Sequence, residues 1–172
     1  MSTITIRPMT FADVDAISRA FTEIGWDKPA AMYHRYLSEQ IAGERSVFVA
    51  EVEGEFAGYG CVVWQSTYPP FAQANIPEIV DLNVLPSYRR RGFASRLMDE
   101  AEALIRTRSN VAGIGVGLYA DYGPAQRLYI RRGYVPDGRG VTYADEIPVP
   151  GSLVRIDDNL ILHLTKDLTL AD

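Results

Sequence analysis

The stretch Leu82-Asn-Val-Leu-Pro-Ser-Tyr-Arg-Arg-Arg-Gly-Phe-Ala94 decides how the rest of the chain is read. It continues an extended run, Glu78-Ile-Val-Asp-Leu-Asn-Val84, which Pro86 stops. It then feeds into a helical run from Gly92 to Arg108, with Leu97, Ala101, Leu104 and Ile105 on the apolar side. A strand, a basic turn and a glycine-bearing helix start make an anion site by simple physics. The first N–H groups of a helix have no intrahelical partners, and the helix dipole favours negative charge beside them. Gly92 and Ala94 remove bulk where a phosphate would approach the backbone, and Arg89, Arg90 and Arg91 add positive charge. Three arginines at this end oppose the dipole unless an anion is present, which favours a ligand over a bare basic surface. Neither the Gly-Lys-Ser/Thr of a Walker A loop nor the Rossmann glycine fingerprint is there. The stretch therefore predicts a nucleotide-containing anion held in some other way.

Working outward, Ile4 and Ile6 alternate with polar residues in a short strand ended by Pro8. Thr10 reads as an N-cap before Phe11, Val14, Ile17 and Phe21 at helical spacing, and Pro29 to Gly43 as a second helix. Ser46–Val52, the turn Glu53-Gly54-Glu55 and Phe56–Gln65 read as an antiparallel hairpin. Tyr68-Pro69-Pro70-Phe71 reads as the start of an irregular connection. Beyond the central motif come a strand from Val111 to Tyr119, a helix from Pro124 to Arg131 and extended chain from Gly133. Pro136 to Gly151, rich in Gly, Pro and Asp, reads as a long surface excursion. Asn159 to Thr165 closes the chain as a strand with Leu160, Leu162 and Leu164 on one face, which turns His163 to solvent. The order predicts one α/β domain over residues 1–172 with a mixed sheet.

Composition narrows the function classes. The 172 residues suit one domain that needs no staples for its core. A single cysteine, Cys61, excludes an internal disulfide framework, and with two histidines it leaves little material for a metal centre, so none is expected. Cys61 sits in an apolar strand and reads as core. The net charge of −5 argues against a general nucleic-acid binder and mildly favours basic partners. No apolar run is long enough to span a bilayer, and the first residues alternate rather than form a signal peptide, so the expected location is cytoplasmic, away from membranes.

Two motifs resemble a known family. Arg89-x-x-Gly92-x-Ala94, after a strand ending Val84-Leu85-Pro86, is similar to the pyrophosphate-binding motif of the GNAT superfamily of N-acetyltransferases. Tyr122-Gly-Pro-Ala-Gln-Arg-Leu-Tyr-Ile-Arg-Arg-Gly-Tyr134 resembles that family's second acetyl-CoA motif, matching at Ala125, Leu128, Tyr129, Gly133 and Tyr134. The chain departs from it at Tyr122, where an asparagine is common. The resemblance implies a mixed sheet flanked by helices, whose fourth and fifth strands splay to hold acetyl-CoA. It implies backbone N–H groups from Arg89 through Arg90, Arg91, Gly92 and Phe93 to Ala94 on the pyrophosphate. Leu82, Asn83 and Val84 would lie along the pantetheine arm, paired like an added strand. Ala125 and Tyr129 would also contact the cofactor, and Tyr129 would be the general acid for the departing thiolate.

An alkylammonium must lose a proton before its nitrogen can attack a thioester. The resemblance places Glu78 at the base position of the histone-acetylating branch; Asp81 and a water relay stay open for that role, and Asp121 is a candidate for recognising the amine. Trp26, Tyr33, Tyr36 and Tyr68 come from segments that wall the acceptor site in that family, and read equally as packing aromatics. His34 reads as helix surface. Arg131-Arg132 is a solvated helix end or a contact for the cofactor's 3′-phosphate. Asp137, Asp145 and Glu146 are expected as an acidic rim over the acceptor. The implied function is acetyl-CoA-dependent transfer to a small amine or a lysine or peptide amine by direct transfer in a ternary complex. A catalytically silent acyl-CoA-binding regulatory domain and a transferase of longer acyl groups are the alternatives. Family habit suggests a homodimer.

Overall fold

The computed structural model describes residues 3–169. Twelve regular elements follow one another: β1 Ile4–Pro8, α1 Val14–Glu23, α2 Ala30–Ile41, β2 Arg45–Val52, β3 Glu55–Val63, α3 Pro69–Ala74, β4 Glu78–Val84, α4 Phe93–Arg106, β5 Val111–Gly117, α5 Gly123–Arg131, β6 Val135–Tyr143 and β7 Leu160–Asp167. The strands are hydrogen-bonded in the order β1-β2-β3-β4-β5-β7-β6. One pairing, β4 with β5, is parallel, so the sheet is mixed as the element order predicts. It covers only two residues on each strand, Glu78 with Gly113 and Ile79 with Ile114. No helix among the described residues is long and apolar enough to cross a membrane.

Two compact units divide the chain, and their boundary runs through β4. The first comprises Met1–Trp64 and Val80–Leu104. Its core joins Val14, Ile17 and Phe21 of α1 to Tyr33 and Leu37 of α2 and to Val49 of β2, all buried. Those spacings are the helical ones read from the sequence. The loop into α1 is tied by Asp13, which accepts from the Thr10 hydroxyl at 2.8 Å and the Thr10 N–H at 2.7 Å. Arg7 donates to Asp13 and Glu51, and that arginine holds the Asp13 carboxyl down at about 2.

The second unit comprises Gln65–Ile79 and Ile105–Asp172. Here β7 lies between β5 and β6, so neither of its edges is free, and Ala112, Ile114, Val116 and Leu164 are buried. The structure corrects three expectations in this unit. Tyr68-Pro-Pro-Phe71 is no irregular connection: the two prolines start α3, where a missing N–H costs nothing. The excursion begins later than Pro136, because Val135–Tyr143 forms β6, an edge strand where a proline is tolerated. His163 does not face solvent but is 1% exposed. Both faces of β7 are covered, and on the His163 side the cover is the α3 segment, with Tyr68 stacked on the imidazole and Phe71 edge-on to it.

Candidate active site

The first unit carries the basic turn. After β4 the chain makes a 3-10 turn over Pro86–Tyr88, then passes Arg90 at φ 59° and Gly92 at φ 88° before α4 begins at Phe93. Only glycine takes the second of these angles without strain, and a Cβ built on Gly92 would meet no atom within 4 Å. The turn thus presents open backbone at a helix start, a cradle that fits a pyrophosphate. Arg89, Arg90 and Arg91 are all exposed. Arg89 donates from Nε to the Val84 carbonyl at 3.3 Å and lies 5.7 Å from the Trp26 ring, while Arg91 lies 5.3 Å from the Tyr88 ring. Leu82, Asn83 and Val84 on β4 are half-buried, as is Ala94, while Phe93 is buried.

Asp81 belongs to the same unit and is engaged. It sits at φ 53°, a left-handed residue within β4 that breaks the strict alternation of the strand. Its carboxylate accepts from the Tyr36 hydroxyl at 2.6 Å and lies 3.7 Å from Arg45 Nη1. The Arg45 guanidinium also stacks 4.1 Å from the Tyr36 ring. Cys61 is fully buried, and burial pushes its thiol up, so it is core as the sequence suggests. Tyr33 and Tyr36 are buried, Trp26 stacks on Phe21, and His34 is exposed on α2.

The second unit gathers the titratable groups. Glu78 is 8% exposed, and burial raises its carboxyl to about 7, with the Ser66 hydrogen bond opposing that rise and the nearby Asp145 charge adding to it. Ser66 Oγ accepts the Tyr68 N–H at 3.0 Å and donates to Glu78 Oε2 at 2.5 Å. Among the described residues no Lys or Arg is ion-paired with Glu78. Around it stand His163 and Tyr68, their rings parallel at 3.6 Å. Tyr68 donates to Asp137 at 2.8 Å, and Thr67 to Asp145 at 3.0 Å. The expected acidic rim is therefore changed: Asp137 is bonded to the buried Tyr68, Asp145 is half-buried and bonded to the exposed Thr67, and Glu146 is exposed.

A feature of β5 makes this gathering fit. Gly113, Gly115 and Gly117 occupy alternate positions and so share one face. Over Gly113 lies the Phe71 ring and over Gly117 the Tyr122 ring, each where a Cβ would collide. Tyr122, the departure from the second motif, thus fills the lane and donates to Asp158 at 2.9 Å. Tyr129, on α5, is 6% exposed, and burial alone pushes its hydroxyl up to about 12. Gln126 fixes the helix by donating to the Gly117 carbonyl at 2.8 Å. Ala125 is half-buried and Asp121 exposed. An open cavity of about 450 Å³ lies along α5, lined by Gly123, Pro124, Arg127 and Arg131.

Each unit therefore carries half of what the sequence singles out: Leu82–Ala94 in the first, Glu78, Ala125 and Tyr129 in the second. Sequence reasoning missed Ser66 and His163 as neighbours of Glu78. The alternating glycines of Val111-Ala-Gly-Ile-Gly-Val-Gly117 were the available signal, since a strand without side chains on one face invites large neighbours there.

A family model described as the acetyltransferase (GNAT) family matches residues 12–134. No curated protein sequence matches the chain. Many solved structures share its fold. An N-acetyltransferase from Staphylococcus aureus Mu50 is similar at 17% identity and TM-score 0.72, covering 97% of this chain and 99% of that one. The ribosomal-protein-alanine N-acetyltransferase from Brucella melitensis is similar at 20% identity and TM-score 0.70, covering 95% and 99%. The yncA protein of Salmonella typhimurium, solved with its cofactor acetyl-CoA, is similar at 19% identity and TM-score 0.68, covering 96% and 94%. At these identities the likeness is one of fold.

Proposed function

The chain belongs to the acetyltransferase (GNAT) family, and from that premise we propose that residues 1–172 work as one catalytic domain that moves an acetyl group from acetyl-CoA to a primary amine in a ternary complex. The observation that carries the reading is Glu78: a carboxyl buried on β4 with no lysine or arginine paired to it among the described residues, which burial raises to about 7. Such a group exchanges a proton at neutral pH, which an ordinary surface carboxylate does not do.

Acetyl-CoA supplies an acyl group already activated as a thioester. The backbone from Arg89 to Ala94 would hold its pyrophosphate, with Gly92 leaving room and the three arginines adding positive charge. The backbone of Leu82, Asn83 and Val84 would line the pantetheine arm, and Ala125 would contact the cofactor. The Glu78 carboxylate takes the proton of the incoming ammonium, directly or through a water, and so frees the nitrogen lone pair. The Tyr129 hydroxyl, held protonated by burial, gives its proton to the departing sulfur. The acceptor is a small amine or a lysine or peptide amine.

The test is thiol release from acetyl-CoA against polyamines, aminoglycosides, amino acids and basic peptides, with wild type, Tyr129→Phe and Glu78→Gln. Turnover with one acceptor class, lost in both variants, supports the reading. Equal rates in wild type and Tyr129→Phe would move the acid role to water. Tight acetyl-CoA binding without turnover on any amine would favour a silent acyl-CoA-binding domain.

A further inference from the structure

The two oxygens of the Glu78 carboxyl stand in different surroundings. Oε2 accepts from Ser66 Oγ at 2.5 Å. Oε1 accepts no hydrogen bond from any described residue and lies toward Gly115, where a Cβ would stand 3.6 Å from it. Its company on that side is apolar, with Ile161 Cγ2 at 2.9 Å from the same point. The last torsion of a glutamate is broad, so only its partners decide which oxygen faces which way.

Ser66 is itself fixed. It is 4% exposed, and its Oγ accepts the Tyr68 N–H at 3.0 Å. A serine hydroxyl has one proton to give. With the Tyr68 N–H on the oxygen, that proton is turned to Oε2, and Ser66 stays the donor whether Glu78 is ionised or not. The proton that Glu78 collects is thereby left for Oε1. Tyr68 is anchored in turn. It caps the start of α3, ahead of Pro69 and Pro70, its ring stacks on His163 at 3.6 Å and its hydroxyl donates to Asp137 at 2.8 Å. The N–H that orients Ser66 therefore belongs to a residue tied down at both ends.

We infer that Ser66 is a positioning residue for the base: its hydroxyl, oriented by the Tyr68 N–H, clamps Glu78 Oε2 so that Oε1 takes the proton of the incoming amine. The inference rests on Glu78 being the base. One proton moves. The ammonium N–H bond breaks with its electron pair staying on nitrogen, the O–H bond forms at Oε1, and Ser66 neither gains nor loses a proton. A donor on Oε2 favours the carboxylate over the acid, so Ser66 opposes the rise that burial imposes. The titratable groups on the surrounding segments are Tyr68, Asp137 on β6, Asp145 beyond it and His163 on β7. Of these, the Asp145 charge acts on Glu78, in the same direction as burial.

The first measurement needs no substrate. The carbon-13 resonance of the Glu78 carboxyl, assigned by its loss in Glu78→Gln, is followed by NMR from about pH 4 to 10 in wild type, Ser66→Ala and Ser66→Thr. Ser66→Ala is expected to move the midpoint up by about one to two pH units, and Ser66→Thr, which keeps the hydroxyl, to hold it near wild type. An unmoved midpoint in Ser66→Ala would overturn the clamp while leaving acetyl transfer by Glu78 intact. The second measurement is the pH dependence of kcat/KM, whose acidic limb is expected to follow the NMR midpoint in each variant. A midpoint that moves under a limb that does not would remove Glu78 as the base, and the role of Ser66 in the reaction with it. Corrected for the ionised fraction, kcat in Ser66→Ala is expected to stay about tenfold low at an unchanged KM for acetyl-CoA, because the carboxylate is free to turn. Full recovery of kcat would overturn the orienting role. If Ser66→Ala does not fold, Ser66→Cys, a weaker donor of similar shape, is read in the same way with a smaller upward shift.

Discussion

Glu78 and Asp81 are carboxylates three residues apart on β4, and the chain treats them oppositely. Asp81 is half-buried, accepts from Tyr36 at 2.6 Å and has an arginine 3.7 Å away. Glu78 is buried with a hydroxyl donor on one oxygen and another acid nearby. The first arrangement compensates a charge, while the second makes a charge expensive. One strand thus carries a structural carboxylate and a titrating one, and only the neighbours, contributed by different units, distinguish them. The residue type says nothing about which is which.

The largest expected effect follows from removing the titrating member. Glu78→Gln is isosteric and keeps the Ser66 hydroxyl bonded, so the fold should persist while kcat falls roughly 10²- to 10⁴-fold, the usual worth of a positioned proton acceptor. In wild type the acidic limb of kcat/KM should lie near pH 7, where Glu78 titrates, and it should vanish in the variant. A limb that stays in Glu78→Gln would assign the base elsewhere.

The same substitution should act on stability with the opposite sign. A carboxyl held at about 7 when folded and near 4.5 when unfolded favours the protonated native state. Its contribution is therefore present below pH 4.5 and is lost as the pH rises through 7, because the native state binds more protons than the unfolded one across that window. Across this window the loss amounts to about 3 kcal/mol, at 1.36 kcal/mol for each pH unit. Glu78→Gln should consequently unfold at higher denaturant than wild type at pH 8, and the two should converge near pH 4. Equal stability at both pH values would mean that Glu78 is solvated after all.

The lane supplies the next test. Gly113→Ala sets a methyl against the Phe71 ring, and Gly117→Ala sets one against Tyr122. Overpacking of this kind costs about 1–3 kcal/mol, read as a Tm lower by several degrees. Gly115→Ala meets Ile161 Cγ2 at 2.9 Å, a longer approach than the 2.4 Å at which the other two meet the rings, so it should cost less than either. A Gly115 variant that melted lowest would contradict this account of the lane.

These contrasts explain what was legible in the sequence. The basic turn was readable because its requirements are local: a strand stop at Pro86, a left-handed glycine at position 92 and a helix with an apolar stripe follow from rules of a few residues. The element order was readable for the same reason, down to the bounds of β4. His163 was not, because period-2 alternation assigns one buried face to a strand, whereas β7 lies inside the sheet and has cover on both. That cover comes from Tyr68 and Phe71, and Pro69-Pro70 disguised their helix as a loop. The tuning of Glu78 was also hidden, since it depends on Ser66, twelve residues away, and on Asp145 beyond β6. Sequence places a carboxylate on the strand; the surrounding chain decides its proton.

The smallest expected effects test the structural half of the pair. Asp81→Asn retains an oxygen for the Tyr36 hydroxyl and a side chain that tolerates φ 53°, and loses only the charge facing Arg45. With Asp81 partly exposed, that should cost about 1 kcal/mol in a denaturant melt, the upper end for a solvent-screened pair. Asp81→Val removes the same charge and the acceptor, and sets a β-branched residue in the left-handed region, at about 1–2 kcal/mol more. The order Asp81→Val below Asp81→Asn below wild type is thus fixed by the backbone as well as by the charge. The pH limb offers the sharper discrimination, because it should stay near 7 in Asp81→Asn. A limb that moved with Asp81→Asn and not with Glu78→Gln would exchange the two roles and make the arginine-paired carboxylate the working one.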